Sequence, residues 1–342
     1  MEKTITTITD IAVELGLSPS TVSRALNDSP KISDETKKRV WDLANEMGYN
    51  LNLVASSLSK KRTGIIGVII PAINRSFFSE VLSGIEEILH KENIRVIIAQ
   101  SNESFEREKE LIKMFSATRV DGIIACLSLE TQGGGHFSNI QKKGISLVLF
   151  DRVHNDVECT KVIVDNYEGA FMATEHLIKS GCKNLAHLAG PLSCQVFEDR
   201  ARGFREAIKA NNLSLGPRSI LSTDLTPQDV KDAMKHWMNM QTKPDGIFTA
   251  SASTGLLLSS LAQTYKISIP DELSVISFGN EPCNEYIVPS LSAISMPGYD
   301  MGKAAAESLL GEIKYPFQEP KTIIKPIQLL IRKSTFKKPL MD

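Results

Sequence analysis

Cysteine is scarce in this chain of 342 residues, and the five that occur form no CxxC pair. Their positions are Cys126, Cys159, Cys182, Cys194 and Cys283. Scattered cysteines without metal-binding spacing favour reduced thiols over a disulfide framework or a metal site. We therefore expect a protein of a reducing compartment that holds no metal ion and no cofactor.

Long apolar runs are also missing. No run approaches 18 apolar residues, and the opening segment MEKTITTITD has no apolar core of a signal peptide. The sequence predicts a cytoplasmic protein without a membrane partner. Hydrophobic residues still make up 42% of the chain, which is ample for full-sized cores in two or three domains.

Motifs for catalysis and nucleotide binding do not occur. The chain has no GxGxxG fingerprint, no GxxxxGK[ST] loop and no GxSxG elbow, and its six histidines lie singly. The segment QGGGH, residues 132–136, follows no strand-turn-helix pattern, so we predict a mobile surface loop there. No catalytic constellation emerges, and we predict that the protein is not an enzyme.

The most informative stretch runs from Thr9 to Asn27 and reads TDIAVELGLSPSTVSRALN. Thr9 can cap a short helix that ends at Gly16. A second helix follows at once, with Ser18 as its N-cap and Pro19 at the first position, where a missing N–H costs nothing. This spacing predicts a helix-turn-helix with residues 19–27 as the recognition helix, although a polar helical hairpin without DNA remains an alternative.

The polar face of the second helix is short and rich in hydrogen-bond donors, as recognition of base edges and phosphates requires. We predict that Ser20, Thr21 and Arg24 reach bases or adjacent phosphates, whereas Thr9, Ser23 and Asn27 position the head. A third helix is predicted from Ser33 to Gly48, which would close a small core over the first two.

Charge is nearly balanced, with a net value of −1. Residues 1–62 carry nine Lys or Arg against eight Asp or Glu, although residues 60–62 form an uninterrupted basic run. A single head with so little positive charge should bind DNA weakly. Useful affinity for an operator duplex then requires two heads, so we expect a homodimer.

From Gly64 onward, apolar runs of buried-strand character alternate with amphipathic helices. This alternation predicts two similar βαβ series in tandem, each with a parallel sheet. The runs lie at 64–70, 96–99, 122–126 and 146–151 in the first series, and at 185–190, 246–250 and 273–279 in the second. The helices are predicted at 78–91, 106–117, 167–180, 200–211, 226–240, 254–265 and 297–313.

The segments TDIA, SPSTVSRALN and GYNLNLVASSL, followed by an α/β body of this length, resemble the LacI/GalR family of bacterial transcription regulators. The resemblance implies an all-α helix-turn-helix head plus an α/β core of two doubly wound parallel-sheet subdomains of periplasmic-binding-protein type. It implies a head at 1–49, a hinge helix and linker at 50–62 and a core at 63–335 that binds an effector and dimerises. The core subdomains would span about 63–164 with 295–325, and 165–292 with 326–335.

The hinge is predicted from Asn52 to Ser59, a stretch too short to be a stable helix alone in water. We expect it to be disordered off DNA and to fold on binding, with Asn52, Ala55 and Leu58 contacting DNA. In the resembling family the counterpart of Leu58 wedges between base pairs from the minor groove. A plain flexible linker is the alternative.

A ligand cleft is expected beyond the carboxyl ends of the strands. The post-strand residues to inspect are 74–78, 101–102, 151–152, 191–200, 249–253 and 278–280. The family resemblance implies that Phe77, Phe78, Asp151 and Arg200 contact the effector, because the matching positions do so in the family. The full set of predicted effector-binding residues is Phe77, Phe78, Asp151, Arg152, Arg200, Ser251 and Asn280. Aromatic rings can stack on a sugar or purine, and Arg200, expected at a helix start, can form a bidentate hydrogen bond.

Each of these assignments has an alternative. Phe78 can be plain core, and Asp151 a turn residue. The sequence also departs from the family: Gly279 and Asn280 replace a usual acidic residue, Ser251 and Ala252 replace a usual Asn-Asp or Gly-Asp pair, and Leu225 replaces an aromatic residue. Asn280 can substitute for the missing acid, or the pocket can be without an effector.

Together these features predict a sequence-specific DNA-binding regulator, typically a repressor, whose operator affinity a sugar or sugar derivative modulates. The alternative is a soluble small-molecule-binding protein or enzyme with an α/β core.

Overall fold

Residues 6–49, 62–316 and 318–335 are described by the structure, a computed structural model. The chain divides into one compact unit up to Gly64 and a second from Ile65 onward. We call the first unit the head and the second the core.

The head is made of three helices, α1 (Ile8–Leu15), α2 (Pro19–Leu26) and α3 (Asp34–Glu46). Their apolar faces meet in one cluster whose buried members are Ile11, Ala12, Val22, Ala25, Leu26, Val40 and Ala44. As predicted, Gly16 ends the first helix, with a φ of 65° that favours glycine, and Ser18 and Pro19 begin the second.

The cap of the first helix differs from the prediction. Thr7, and not Thr9, is the N-cap of α1, because its side chain and the Asp10 carboxylate form a reciprocal capping box. A capping box needs an acidic residue three positions after the N-cap. Thr7 has one in Asp10, whereas Thr9 has none at the corresponding position. Thr9 is an exposed residue within the first turn.

The first lobe of the core contains a six-stranded sheet with the order β11-β5-β4-β3-β1-β2, in which all neighbours are parallel. Its strands are β1 (Ile65–Ile70), β2 (Arg95–Gln100), β3 (Gly122–Ala125), β4 (Ser146–Phe150), β5 (Thr160–Val164) and β11 (Thr322–Lys325). Its helices are α4 (Ser76–Lys91), α5 (Phe105–Ala117), α6 (Ser138–Gln141) and α11 (Gly298–Lys314), with a 3₁₀ turn at Gly135–Phe137.

The second lobe repeats this plan with the strand order β12-β10-β9-β8-β6-β7, in which only β12 is antiparallel to its neighbour. The strands are β6 (Leu185–Ala189), β7 (Ile220–Ser222), β8 (Gly246–Thr249), β9 (Ser274–Phe278), β10 (Ser292–Ser295) and β12 (Gln328–Leu330). The helices are α7 (Asn166–Lys179), α8 (Gln195–Ala210), α9 (Pro227–Met238) and α10 (Ala252–Thr264), with a 3₁₀ turn at Pro282–Glu285.

The chain passes between the two lobes three times. It leaves the first sheet between β5 and α7, returns between β10 and α11, and leaves again between β11 and β12. The carboxyl ends of the parallel strands in both sheets therefore supply loops to one cleft between the lobes. The predicted fold class is confirmed by this arrangement.

Three details of the core differ from the sequence-based expectations. Helix α8 begins at Gln195, so Arg200 lies in its second turn and not at its start. Strands β5, β7 and β10 lie outside the apolar runs from which the strands were predicted; β7 and β10 have only three and four residues. The QGGGH segment is not a free loop, because His136 Nε2 lies 2.7 Å from the buried Glu108 carboxylate and Asp156 accepts the N–H of Gly134.

Each lobe has three layers, because helices cover both faces of its sheet. The sheets are sandwiched by helices, and α4 packs on α11 as α7 packs on α8. Within the described ranges, no helix combines the length and the apolar character that crossing a membrane requires.

Candidate functional site

The head presents a polar surface along α2. Ser20 and Arg24, four residues apart and thus one turn apart, are both exposed. Val22, Ala25 and Leu26 point into the head core and anchor the helix from its other side. This leaves the surface that carries Ser20 and Arg24 available to a partner such as the major groove.

The remaining predicted contacts of α2 also stabilise the helix itself. Ser18 Oγ accepts from the Thr21 N–H at 3.1 Å and lies 2.8 Å from the Thr21 hydroxyl. The Asn27 side chain donates to the Ser23 carbonyl at 2.8 Å. Pro19 occupies the first position, as predicted. The predicted contacts of the hinge, Asn52, Ala55 and Leu58, lie outside the described residues.

A cleft between the two lobes of the core brings together all seven predicted effector-binding residues, Phe77, Phe78, Asp151, Arg152, Arg200, Ser251 and Asn280. They come from loops and helix starts after β1, β4, β6, β8 and β9. The cavity holds about 130 Å³. That is roughly ten times the smallest cavity that holds one water molecule, so the cleft has room for a small molecule.

Arg200 is the central cation of the cleft and is 6% exposed. Its Nε donates to Asn166 Oδ1 at 2.9 Å and its Nη1 to the Ala250 carbonyl at 2.7 Å. The guanidinium lies 3.7 Å from the centre of the Phe278 ring. Burial lowers the pKa of Arg200 to about 10, which still leaves the side chain charged at neutral pH. Its Nη2 has no hydrogen-bond partner among the described residues.

Two buried acceptor oxygens line the same cleft without a hydrogen bond from the described part of the chain. They are Oδ1 of Asp151 and Oδ1 of Asn280. The other carboxylate oxygen of Asp151 lies 3.7 Å from the Cys126 thiol and 3.9 Å from Arg152 Nε. Asp151 has a φ of 56°, a conformation that is rare for a residue with a side chain.

Phe78 serves both of the roles considered for it. It is 3% exposed and packs edge-on against Phe150, with ring centres 6.3 Å apart, so it belongs to the core. It also borders the cleft, where Phe77 meets it at 5.3 Å. The two rings therefore give the cleft an apolar wall that the core holds in place.

Arg152 is committed to a partner. Its guanidinium forms two hydrogen bonds to the Glu103 carboxylate, at 2.6 and 3.0 Å. Such a fork-to-fork pair fixes the plane of the guanidinium. Glu103 in turn accepts the Leu129 N–H at 3.0 Å, which ties the loop after β3 to the same pair.

Ser251 has a local role, because its Oγ is the N-cap of α10 and accepts the Thr254 N–H at 3.4 Å. One hydrogen bond crosses the cleft close by. Arg75 Nη1, in the first lobe, donates to Ser253 Oγ, in the second, at 3.0 Å.

Several lining residues lie outside the ranges that sequence reasoning selected. They are Glu80, Glu103, Leu129, Asp224, Glu281 and Met296. Glu281 follows the selected range by one residue and supplies an acid next to the position where the family pattern is broken. Glu80 lies one turn into α4, and no local signal in the sequence separates it from a solvent-exposed helix residue. No group of three or more potential metal ligands occurs among the described residues.

A chain that carries both a helix-turn-helix head and a core of two α/β lobes with a polar cleft has the features of a ligand-regulated DNA-binding protein. Comparison with known proteins agrees. Residues 7–52 match the family model described as bacterial regulatory proteins, lacI family, and residues 174–335 match a periplasmic binding protein-like domain.

Curated relatives span nearly the whole chain. The ribose operon repressor of Halalkalibacterium halodurans is 30% identical over 332 residues, which cover 97% of each chain. The catabolite control protein A of Priestia megaterium is 28% identical, covering 96% of this chain and 99% of that one. The chain therefore belongs to the lacI family of bacterial regulatory proteins. It is a DNA-binding transcription regulator whose activity a small molecule modulates.

Solved structures share the fold. The lac repressor dimer bound to operator and the anti-inducer ONPF has a TM-score of 0.85 at 21% identity, covering 98% of this chain and 100% of that one. A LacI family transcriptional regulator from Enterococcus faecium with bound ribose has a TM-score of 0.71 at 25% identity, covering 79% of this chain and 98% of that one.

Proposed function

We propose that this regulator is a homodimeric repressor whose effector is a polyhydroxylated small molecule, a sugar or sugar derivative, bound between the two core lobes. The observation that carries the proposal is the pair of buried acceptors without donors, Asp151 Oδ1 and Asn280 Oδ1, in a cleft that also contains Arg200.

Buried acceptors call for a ligand that donates hydrogen bonds. Leaving one unsatisfied costs about 1–3 kcal/mol, so a ligand that brings hydroxyl donors recovers that cost on binding. A hydroxyl group also accepts, which suits Arg200 Nη2. A carboxylate or phosphate ligand would meet Asp151 with like charge and would satisfy neither acceptor.

The apolar wall of Phe77 and Phe78 suits the same class of ligand. Sugar rings present C–H faces beside their hydroxyl groups, and such faces pack on aromatic rings. The names of two relatives point in the same direction, since one is a ribose operon repressor and another was solved with ribose.

The effector-binding residues that we propose are the seven of the sequence prediction, with two qualifications. Arg152 shapes the effector site indirectly, through its ion pair with Glu103. Ser251 does so by capping the start of α10. For the head we propose Ser20, Thr21 and Arg24 as the residues that reach DNA bases or phosphates, with Thr9, Ser18, Pro19, Ser23 and Asn27 positioning the helix.

The nearly neutral head supports a dimer, because two weak sites on one duplex multiply their affinities. We further propose that the hinge, through Asn52, Ala55 and Leu58, contacts the minor groove and transmits the state of the cleft to the heads. A gel-shift comparison of Leu58→Ala with the wild type tests this, and unaltered operator bending would refute it. We propose that the protein acts in the cytoplasm, where the DNA is. We also propose that it binds DNA and effector without catalysing a reaction.

The experiment that tests the effector class uses the full chain, a panel of monosaccharides that includes D-ribose, and the matching sugar acids and sugar phosphates. Melting temperature and operator affinity are measured for each. We expect at least one neutral or cationic sugar to raise the melting temperature and to change operator affinity. If only the acids or phosphates do so, the effector is an anionic sugar derivative and the argument from the Asp151 oxygen is wrong. If no compound of the panel does so, the sugar effector itself is wrong.

A further inference from the structure

The charges around the cleft do not balance. Among the described residues that line it, five carboxylates (Glu80, Glu103, Asp151, Asp224, Glu281) face three guanidinium groups (Arg75, Arg152, Arg200). The lining residues include no lysine or histidine. The cleft therefore carries an excess of two negative charges when these groups have their ordinary charges.

The excess is localised. Glu103 pairs with Arg152 in two hydrogen bonds, and Asp151 lies beside Arg152 at 3.9 Å and within the field of Arg200. These four groups compensate one another. Among the charged lining residues, one cation then remains, Arg75, which donates a hydrogen bond to Ser253. Three carboxylates remain with it, those of Glu80, Asp224 and Glu281.

Glu80 and Glu281 approach the cleft from opposite lobes, on α4 and in the loop after β9. Glu80 is an exposed residue whose carboxylate is partly covered by its neighbours. This partial burial raises the pKa of Glu80, and the negative charge of Glu281 raises it further, while the Gly298 N–H lowers it. Two carboxylates that repel each other across a cleft oppose its closure unless a cation comes between them.

A second observation points to a ligand in the same cleft. Asp151 is 8% exposed and lines the cleft, and its Oδ1 has no hydrogen-bond donor within the part of the chain that the structure describes. A ligand that carries both a positively charged group and hydroxyl donors would satisfy both features, the first at the carboxylate pair and the second at Asp151. An ammonium group has three donors and no acceptor.

We propose that the effector carries an ammonium group, as an amino sugar does, and that Glu80 and Glu281 receive this group when the lobes close on it. This inference rests on the proposed function and deepens it, since the hydroxyl groups of the same ligand meet Asp151, Asn280 and Arg200.

A metal ion fits the pair less well. Calcium takes six to eight oxygen ligands and magnesium demands an octahedral shell, whereas the described residues contain no group of three potential ligands. An ammonium group needs only the two carboxylates and one further acceptor.

The test is calorimetric titration of the full chain with matched ligands: D-glucosamine, D-glucose and N-acetyl-D-glucosamine, and the corresponding galactose series, in a buffer in which the amines are protonated. The three members of a series share one ring, and only the first carries a charge. We expect an amino sugar to bind roughly tenfold more tightly than its parent and its acetylated form.

Glu281→Gln is expected to erase that preference, since the amide keeps the size of the side chain and loses its charge. Glu80 lies at an exposed position of α4. Glu80→Gln therefore provides a second variant, with the same expected loss of preference, should Glu281→Gln fail to fold. Glu110→Gln, an exposed position on α5 outside the cleft, is the matched control and should keep the preference.

The outcomes separate this inference from the proposed function. If the parent sugars bind as tightly as the amines, the ammonium site is wrong while the sugar effector stands. If none of these compounds binds but a neutral sugar of the earlier panel does, the ammonium site is wrong and the sugar effector stands; if no sugar of either panel binds, both fail. If calcium or magnesium alone stabilises the protein and Glu281→Gln abolishes that effect, the carboxylates hold a metal ion and the inference is overturned.

Discussion

Arg75 and Ser253, 178 positions apart in the chain, form a hydrogen bond of 3.0 Å that joins the two lobes across the mouth of the cleft. Both side chains are exposed, so the bond competes with water and contributes little by itself. Its position gives it a larger role, because a contact between lobes acts on the equilibrium between open and closed cores.

The first prediction concerns this bond. Arg75→Ala is expected to shift the core toward an open state and to weaken effector binding roughly threefold to tenfold, because closure then lacks one interaction. Small-angle scattering should report a larger radius of gyration for the variant without ligand. Arg107→Ala, an exposed arginine on α5 away from the cleft, serves as the control. Identical scattering for Arg75→Ala and the wild type would contradict the role in closure.

The second prediction concerns Arg200. Replacing it by Ala leaves Asn166 Oδ1 and the Ala250 carbonyl without their donor, so the free energy of unfolding should fall by about 1–3 kcal/mol. The folded variant should keep operator affinity and lose its response to the effector. Anisotropy of labelled operator, measured with and without ligand, decides between the outcomes. An unchanged response would remove Arg200 from the site.

The third prediction concerns base recognition by Ser20. Ser20 is exposed on α2, and among the described residues its hydroxyl forms a hydrogen bond only with the Ser18 hydroxyl. Its replacement by Ala should therefore change the preferred operator sequence and leave the head folded. Selection from randomised duplexes measures this. Asp42→Asn, an exposed change on α3, is the control. The assignment fails if the Ser20 variant selects the wild-type sequence.

The fourth prediction concerns helix packing in the first lobe. A Cβ at Gly302 would lie 2.0 Å from the Val81 carbonyl oxygen, so α4 and α11 approach too closely for any larger residue. Gly302→Ala should lower stability by about 1–3 kcal/mol. Gly311→Ala, near the end of the same helix with only one atom 3.9 Å away, should raise it by roughly 0.5–1 kcal/mol. Thermal unfolding that ranks the two variants in the opposite order would contradict the packing argument.

The fifth prediction concerns acid stability. His187 is fully buried, donates from Nδ1 to the Phe248 carbonyl at 3.0 Å and stacks on that ring at 4.5 Å. Burial lowers its pKa from 6.5 to about 3. The unfolded chain thus binds one proton more between these values, and the free energy of unfolding falls by about 1.4 kcal/mol per pH unit as the pH drops below about 6.5.

His187→Phe keeps a ring at this position and removes the titrating group. Urea titrations at a series of pH values between 4 and 7 give the free energy of unfolding at each pH. When this free energy is plotted against pH, the slope should be smaller for the variant by the contribution of one proton. Equal slopes for the variant and the wild type would show that His187 is not the group responsible.

Local patterns in the sequence were sufficient for the helix-turn-helix and for most strands and helices of the two lobes, although β5, β7 and β10 were missed and the division into subdomains came from the family resemblance. The turn at Gly16 and the cap at Ser18 identify the helix-turn-helix because each depends on a few adjacent residues. Apolar runs such as β6 and β9, buried along their whole length, identify the strands for the same reason. Helix and strand periodicities are properties of neighbours, so they can be read without the fold. The hinge and domain boundaries, by contrast, stay predictions.

The candidate cleft could be located from the sequence but its chemistry could not. Post-strand positions marked Asp151, Arg200 and Asn280, since parallel sheets place such residues at one edge. Only the tertiary structure decided that Arg152 pairs with Glu103, that Asp151 and Asn280 each have an oxygen without a donor among the described residues, and that Glu80 and Glu281 line one cleft from opposite lobes. Each of these features depends on residues that are distant in sequence and that the fold brings to one cleft. Whether a polar atom is satisfied depends on partners distant along the chain, and local sequence carries no record of them.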